Sequence, residues 1–143
     1  MAAPDLTASP LAAAVVAVYD TWMRTVDLIE PVLAAHRLTT ATFQALWAIS
    51  PDEDPPSMKA LAERLYCNAP NLTFMTNQLA DRGLVERVVD PSDRRSRVLV
   101  LTAKGREVRD EVVKAVMAKT PLGALSEAEL HQLSGLLTRA LHR

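Results

Sequence analysis

A mainly α-helical fold with one small β-hairpin is what this sequence predicts, and three observations carry it. Apolar residues recur every three or four positions through most of the chain, the spacing of a helix face. One stretch breaks that rhythm: ERVVDPSDRRSRVLVLTAKGR, residues 86–106, holds two apolar, β-branched runs around a turn rich in Asp, Pro and Arg. A length of 143 residues suits one compact domain, or a small domain with extra helices, and not two independent cores.

The elements follow in order. From Leu11 to about Ala35, Val15, Val18, Tyr19, Trp22, Met23, Val26, Ile29 and Leu33 form one stripe of an amphipathic helix, with Pro31 placed to kink its end. A second helix begins near Thr40, carries Phe43, Leu46, Trp47 and Ile49, and stops at SPDEDPPS, whose three prolines and three acids forbid a helix interior. Ser57 is suited to cap a third, short helix, because its hydroxyl accepts from a free first-turn N–H while Met58, Leu61, Ala62 and Leu65 make one face. After a break at Tyr66, Cys67 and Asn68, a fourth helix runs from Ala69 or Pro70 to about Arg82, and Gly83 stops it.

Leu84–Val89 and Arg97–Thr102 read as the two strands of the hairpin. Thr102 caps a fifth helix through Val108, Val112, Val113, Val116 and Met117, which ends near Thr120 and Pro121. Ser126 with Glu129 makes a capping box for a sixth. That helix carries Leu130, Leu133, Leu136, Leu137, Ala140 and Leu141, a stripe wider than a lone terminal helix can bury, so it asks for a partner.

Charge narrows the function. The formal net charge is −1, but eight basic residues stand against four acidic ones between Arg82 and Arg109, leaving that segment at +4 and the remainder at −5. A basic footprint on an acidic body fits a polyanionic partner, although a cluster of exposed charge is also what a merely solvated turn looks like. The single cysteine, Cys67, excludes an intramolecular disulfide framework and fits a reducing compartment, with the cytoplasm as the default. The apolar stretch LAAAVVAV at 11–18 follows Asp5, and no Lys or Arg precedes Arg24, which is not the pattern of a signal peptide; it also falls short of the roughly 20 residues that cross a bilayer. Neither a membrane span nor a membrane partner is expected. His36, His131 and His142 lie far apart with no clustered carboxylates, and no nucleophile elbow or glycine-rich phosphate loop is present, so neither a metal site, a cofactor nor an enzyme activity is expected.

Two short helices joined by a tight turn and followed by a hairpin are the order of a winged helix-turn-helix, which lays its second helix in the DNA major groove. Residues 57–105, SMKALAERLYCNAPNLTFMTNQLADRGLVERVVDPSDRRSRVLVLTAKG, closely resemble the DNA-binding core of the MarR (multiple antibiotic resistance regulator) family. The most specific part is the helix end with Arg-Gly-Leu-Val, the wing with Asp-x-Arg and the strand closing in Leu-Thr-x-x-Gly. The resemblance implies a winged helix-turn-helix core over 39–105, flanked by an N-terminal dimerisation helix in 1–38 and C-terminal dimerisation helices in 106–143. It also implies a homodimer bound to double-stranded DNA as a transcriptional regulator, most often a repressor.

Within this frame the fourth helix turns Leu72, Met75, Thr76 and Leu79 to one side and Pro70, Thr73, Phe74, Asn77, Gln78 and Asp81 outward, with Asn71 flanking. Asn and Gln pair bidentately with adenine, and Thr or Phe touches the thymine methyl. The candidate DNA-binding set is therefore Asn68, Asn71, Thr73, Phe74, Asn77, Gln78 and Arg82, joined by Asp93, Arg94, Arg95 and Arg97 of the wing. Family members often carry a basic residue near the position of Phe74; its absence here predicts an A·T-rich half-site core. Phe74 is equally a core residue if the helix is rotated. The family uses an aspartate placed like Asp93 to hold the wing arginine, here Arg95, in the minor groove, while Arg94 and Arg97 suit phosphates. Arg97 also has the option of pairing with Asp90 across the hairpin.

Trp22, Met23, His36, Phe43 and Trp47 fall near where the family binds small phenolic or aromatic effectors, and each is also an ordinary core candidate. Cys67 lies in the turn between the two core helices, away from the N-terminal position at which some members sense oxidants, so a packed thiol is the plainer reading. The competing function is a winged-helix module that binds another protein through the same helices and wing.

Overall fold

The computed structural model describes residues 9–142; residue 143 and residues 1–8, which include Asp5, lie outside that range. Its elements in chain order are α1 (Pro10–Ala35), α2 (Thr40–Ala48), α3 (Met58–Leu65), α4 (Ala69–Asp81), β1 (Val85–Asp90), β2 (Asp93–Leu101), α5 (Ala103–Lys119), a 3-10 turn at Pro121–Ala124 and α6 (Glu127–Leu141). The chain is a mainly α winged helix-turn-helix fold with a two-stranded antiparallel wing. Its described residues divide into two compact units, one Glu30–Ala115 and the other formed by those up to Ile29 with those from Val116 onward.

In the Glu30–Ala115 unit the helix ends are fixed by side chains. Thr39 and Thr42 cap α2 reciprocally: the Thr42 amide donates to Thr39 Oγ1 at 3.1 Å, and the Thr39 amide donates to Thr42 Oγ1 at 2.8 Å. Arg109 of α5 donates from Nε to the Leu46 carbonyl at 3.2 Å and from Nη2 to that of Trp47 at 2.9 Å, which satisfies the orphan carbonyls at the end of α2. Ser57 Oγ caps α3, accepting from the Ala60 amide at 3.1 Å, and Asn68 Oδ1 caps α4, accepting from the Asn71 amide at 2.9 Å. Between them Tyr66 adopts the left-handed conformation, φ 52° and ψ 40°, and so makes the tight turn without glycine. The half-buried Cys67 follows it.

Leu61, Leu72 and Leu79 are almost wholly excluded from water, as are Leu46 and Leu99, so the helix-turn-helix and wing share one core. Burial of each such leucine stabilises by roughly 1.5–3 kcal/mol. Two glycines close this unit. Gly83 takes φ 71°, a left-handed stop for α4, and its amide donates to the Ala80 carbonyl at 2.9 Å. Gly105 sits where α5 passes so near the start of β1 that a Cβ would lie 1.9 Å from the Leu84 carbonyl oxygen. Thr102 completes the join, its Oγ1 donating to the Gly83 carbonyl and accepting from the Gly105 amide at 3.0 Å.

The hairpin pairs Val85 with Leu101 through Val89 with Arg97 in regular register, and then jumps to Asp90 with Asp93. Arg94, Arg95 and Ser96 are thereby left without partners across the ladder, a bulge that bends the strand. β2 thus begins at Asp93, four residues before the predicted start, and the arginines lie on the strand and its bulge; the turn itself is only Pro91 and Ser92. A lone bridge from Ser57 to Val98, with the Leu99 amide donating to the Pro56 carbonyl at 2.9 Å, adds a third short edge.

In the other unit Ile29 and Val116 are buried, and the Thr25 and Thr120 hydroxyls meet at 3.0 Å. Most of its large apolar side chains are exposed, among them Leu11, Val15 and Tyr19 of α1 and Leu136, Leu137 and Leu141 of α6. Ser126 and Glu129 form the anticipated capping box at the start of α6. Among the described residues no helix is long and apolar enough to cross a membrane, and no group of three or more His, Cys, Asp or Glu is arranged to hold a metal ion.

Candidate nucleic-acid interface

The exposed face of α4 is the one its periodicity indicates. Leu72, Thr76 and Leu79 are buried beneath it, while Asn71, Thr73, Phe74, Asn77 and Asp81 are exposed and Gln78 is half-buried. Phe74 settles the question its spacing left open, since 64% of its surface is accessible on the outward side. Thr73 Oγ1 donates back to the Ala69 carbonyl at 2.9 Å, so its methyl and the Phe74 ring are the apolar parts of this face. Asn68 is exposed at the N-terminus with its carbonyl oxygen committed to the cap.

The wing is ordered by its two aspartates. Asp90 Oδ1 accepts from the Ser92 amide at 2.9 Å and from Ser92 Oγ at 2.8 Å, a turn in which Pro91 fixes the first corner. The Ser92 amide, and then its hydroxyl, holds the Asp90 carboxyl below the ordinary carboxylate range. Asp93 Oδ1 accepts from the Arg95 amide at 3.0 Å. The aspartate therefore grips Arg95 by its backbone, leaving the guanidinium exposed and without a partner among the described residues. Arg94 and Arg97 are exposed too, and Arg97 Nη1 reaches the carbonyls of Arg94 and Ser96 only at 3.5 Å. The alternative pairing of Arg97 with Asp90 is not formed: Arg97 lies opposite Val89, and Asp90 Oδ1 accepts from Ser92.

Arg82 is placed differently from the rest of the predicted set. It lines a cleft of about 480 Å³ with His36, Arg37, Asp81 and Lys104, its carbonyl accepts from Lys104 Nζ at 3.3 Å, and its Nη1 is out of solvent with no partner among the described residues. That nitrogen is not presented to an open surface.

Arg87 belongs with this surface, although sequence reasoning gave it no role beyond the local charge count. Strand alternation puts it on the same side of β1 as buried Val85, the side facing α4. Its Nη2 donates to Thr76 Oγ1 at 2.8 Å and to Asn77 Oδ1. The available signal was the period of two counted from Val85; the register that brings the strand against α4 is tertiary. Tyr66, 94% exposed in the turn before α4, is a second exposed group that periodicity did not single out.

The five candidate effector residues are not alike. Trp22 and Met23 are partly exposed on α1 in the first unit. In the Glu30–Ala115 unit, Phe43 is 2% exposed and packs edge-on against Trp47 with ring centroids 5.7 Å apart, and His36 Nε2 lies 2.7 Å from Glu111 Oε2. Phe43 is thus part of the core, while Trp47 keeps an accessible edge.

Comparison with known proteins agrees with this geometry. Residues 38–96 match the model of the MarR family. The HTH-type transcriptional regulator YkoM of Bacillus subtilis is 32% identical over 88 residues, 60% of this chain, and the aligned stretch spans only 57% of YkoM. Among solved structures, the transcriptional repressor CouR bound to a 23-mer DNA duplex superposes with TM-score 0.75 and 26% identity over 100% of this chain and 99% of that one. Apo MarR from E. coli superposes with TM-score 0.67 and 23% identity over 87% and 93% of the two chains, a likeness of fold. In its helix order, its bulged wing and its Leu-Thr-x-x-Gly join, the chain is similar to the MarR family of winged helix-turn-helix transcriptional regulators, and residues 38–96 carry the family match.

Proposed function

We propose that this chain is a non-enzymatic, homodimeric repressor that binds a pseudo-palindromic operator and is released from it by a small aromatic molecule. The observation that carries the DNA-binding part is one unit that joins a polar, exposed α4 face to a bulged strand offering Arg94, Arg95 and Arg97 to solvent. Asn71, Thr73, Phe74, Asn77 and Gln78 face base edges of the major groove, with Asn68 at the helix start. Arg95, held through its amide by Asp93, enters the minor groove, where a narrow groove concentrates negative potential. Arg94 and Arg97 contact phosphates.

Dimerisation is supported by the apolar side chains left exposed on α1 and α6, and by the closed symmetry that pairs two recognition helices about one helical turn, roughly 34 Å, apart. Repression and effector release are supported by CouR, a repressor solved on DNA and also solved with p-coumaroyl-CoA. A ligand of this kind acts only through its different affinity for the DNA-competent and DNA-incompetent states. The test is an operator-binding measurement with Arg95→Ala: affinity falls about tenfold or more while the dimer persists, and unchanged affinity overturns the wing assignment.

A further inference from the structure

We propose that Arg87 sets what the recognition helix reads: by occupying the carbonyl oxygen of Asn77, it makes Asn77 meet DNA as a hydrogen-bond donor, so the contacted base is guanine rather than adenine. This rests on the DNA-binding reading above. The orientation of the Asn77 amide follows from chemistry, since a guanidinium carries only donors and the atom facing it must be oxygen. Both hydrogens of Arg87 Nη2 are used, one on Thr76 Oγ1 at 2.8 Å and one on Asn77 Oδ1. The contact is anchored, because Thr76 is fully buried and its hydroxyl also donates to the Thr73 carbonyl at 3.2 Å.

Bidentate recognition of adenine needs both halves of the amide, the oxygen accepting from the N6 amine and the nitrogen donating to N7. Here a cation sits against that oxygen, and the positive end of an incoming N6–H is repelled by it. Asn77 Oδ1 keeps a second lone pair, but it lies beside that cation, while the groups best placed to meet a base are donors: the two hydrogens of Asn77 Nδ2, with Nε and Nη1 of Arg87, which have no hydrogen-bond partner among the described residues. Guanine, with N7 and O6 side by side, is the major-groove edge made only of acceptors. The helix whose own face has no basic side chain thus receives one from the neighbouring strand, and the A·T-rich expectation fails at this base pair.

The experiment selects an operator with the full-length protein, then measures its affinity for duplexes carrying each of the four base pairs at every half-site position. Asn77→Ala identifies the contacted pair as the one where discrimination disappears. The wild type prefers guanine over adenine there by about tenfold. Arg87→Ala erases that preference or tilts it to adenine. Asn77→Asp keeps an acceptor for Arg87 but replaces the Asn77 donors with a carboxylate oxygen that neutralises Arg87 and repels the N7 and O6 acceptors, so it loses the guanine preference while melting no lower than wild type, which covers an unstable Arg87→Ala. A wild-type preference for adenine, an unchanged order in Arg87→Ala, or a guanine preference retained in Asn77→Asp overturns the proposal. So does Asn77→Ala weakening all four duplexes equally, the mark of a phosphate contact. Each of these outcomes leaves DNA binding itself standing, whereas failure of the wild type to bind any duplex removes the DNA-binding reading and this proposal with it.

Discussion

Replacing Gly105 by alanine puts a methyl carbon 1.9 Å from the Leu84 carbonyl oxygen and 2.8 Å from its carbon, both backbone atoms with no rotamer to escape into. Opening that contact from 1.9 Å to the 3.0 Å floor of real contacts requires the first turn of α5 to move away from the start of β1. Overpacking of this kind costs about 1–3 kcal/mol, and sometimes more. The same movement loosens the Thr102 amide from the Leu84 carbonyl, 3.1 Å away, and Thr102 Oγ1 from the Gly83 carbonyl, at about 1 kcal/mol each. Alanine returns up to about 1 kcal/mol of helix propensity. The net loss is about 2–4 kcal/mol, a drop in Tm of roughly 7–13 °C for a chain of this size. Thermal unfolding followed by far-UV circular dichroism measures it. A Gly105→Ala protein melting within about 2 °C of wild type would refute the close-approach argument.

Three further outcomes follow from the same account. Leu136→Glu places a charge on the exposed stripe of α6 without touching the buried core, so sedimentation should find monomers, and DNA affinity should fall with dimer formation; a variant that stays dimeric removes α6 from the interface. The Glu129 carboxyl is held below its ordinary value of 4.5 by the Ser126 amide and then the Ser126 hydroxyl. Because the folded pKa is the lower one, this cap stabilises fully above the ordinary value and its contribution is lost as pH falls through the folded one. Wild type should therefore lose more stability than Glu129→Gln between about pH 5 and 3, and equal losses would contradict the cap. Arg94→Ala, which removes one phosphate contact from each wing, should flatten the log affinity against log salt slope by about 2 per dimer; an unchanged slope takes Arg94 off the phosphates.

Much of the architecture was legible because the sequence signals were local. Ser57 and Ser126 cap the helices they precede, Gly83 stops α4, and the period of α4 separated buried Leu72 and Leu79 from exposed Asn77. The Leu-Thr-x-x-Gly motif acquires a physical reason, since Thr102 ties the helix start to Gly83 and Gly105 lets it pass the Leu84 carbonyl. What the sequence concealed depends on tertiary register. The bulge at Arg94–Ser96 places the arginines on the strand instead of in the turn, and no local pattern announces it. Arg82, adjacent to the readout helix in sequence, turns into a cleft, whereas Arg87 reaches back from β1 to Thr76 and Asn77. Phe43 and Phe74 could not be told apart by helical spacing alone, and packing made one core and the other surface.

The central claim is that this chain binds DNA through its α4 face and its wing arginines. A salt titration of the full-length protein on the DNA upstream of its own coding sequence tests it most directly. Two phosphate-bound arginines in each of two wings predict a log–log slope of about −4 or steeper, with a dissociation constant of about 10⁻⁸ M or tighter near physiological salt. Absence of binding at low salt, or binding that is indifferent to salt, would contradict the account.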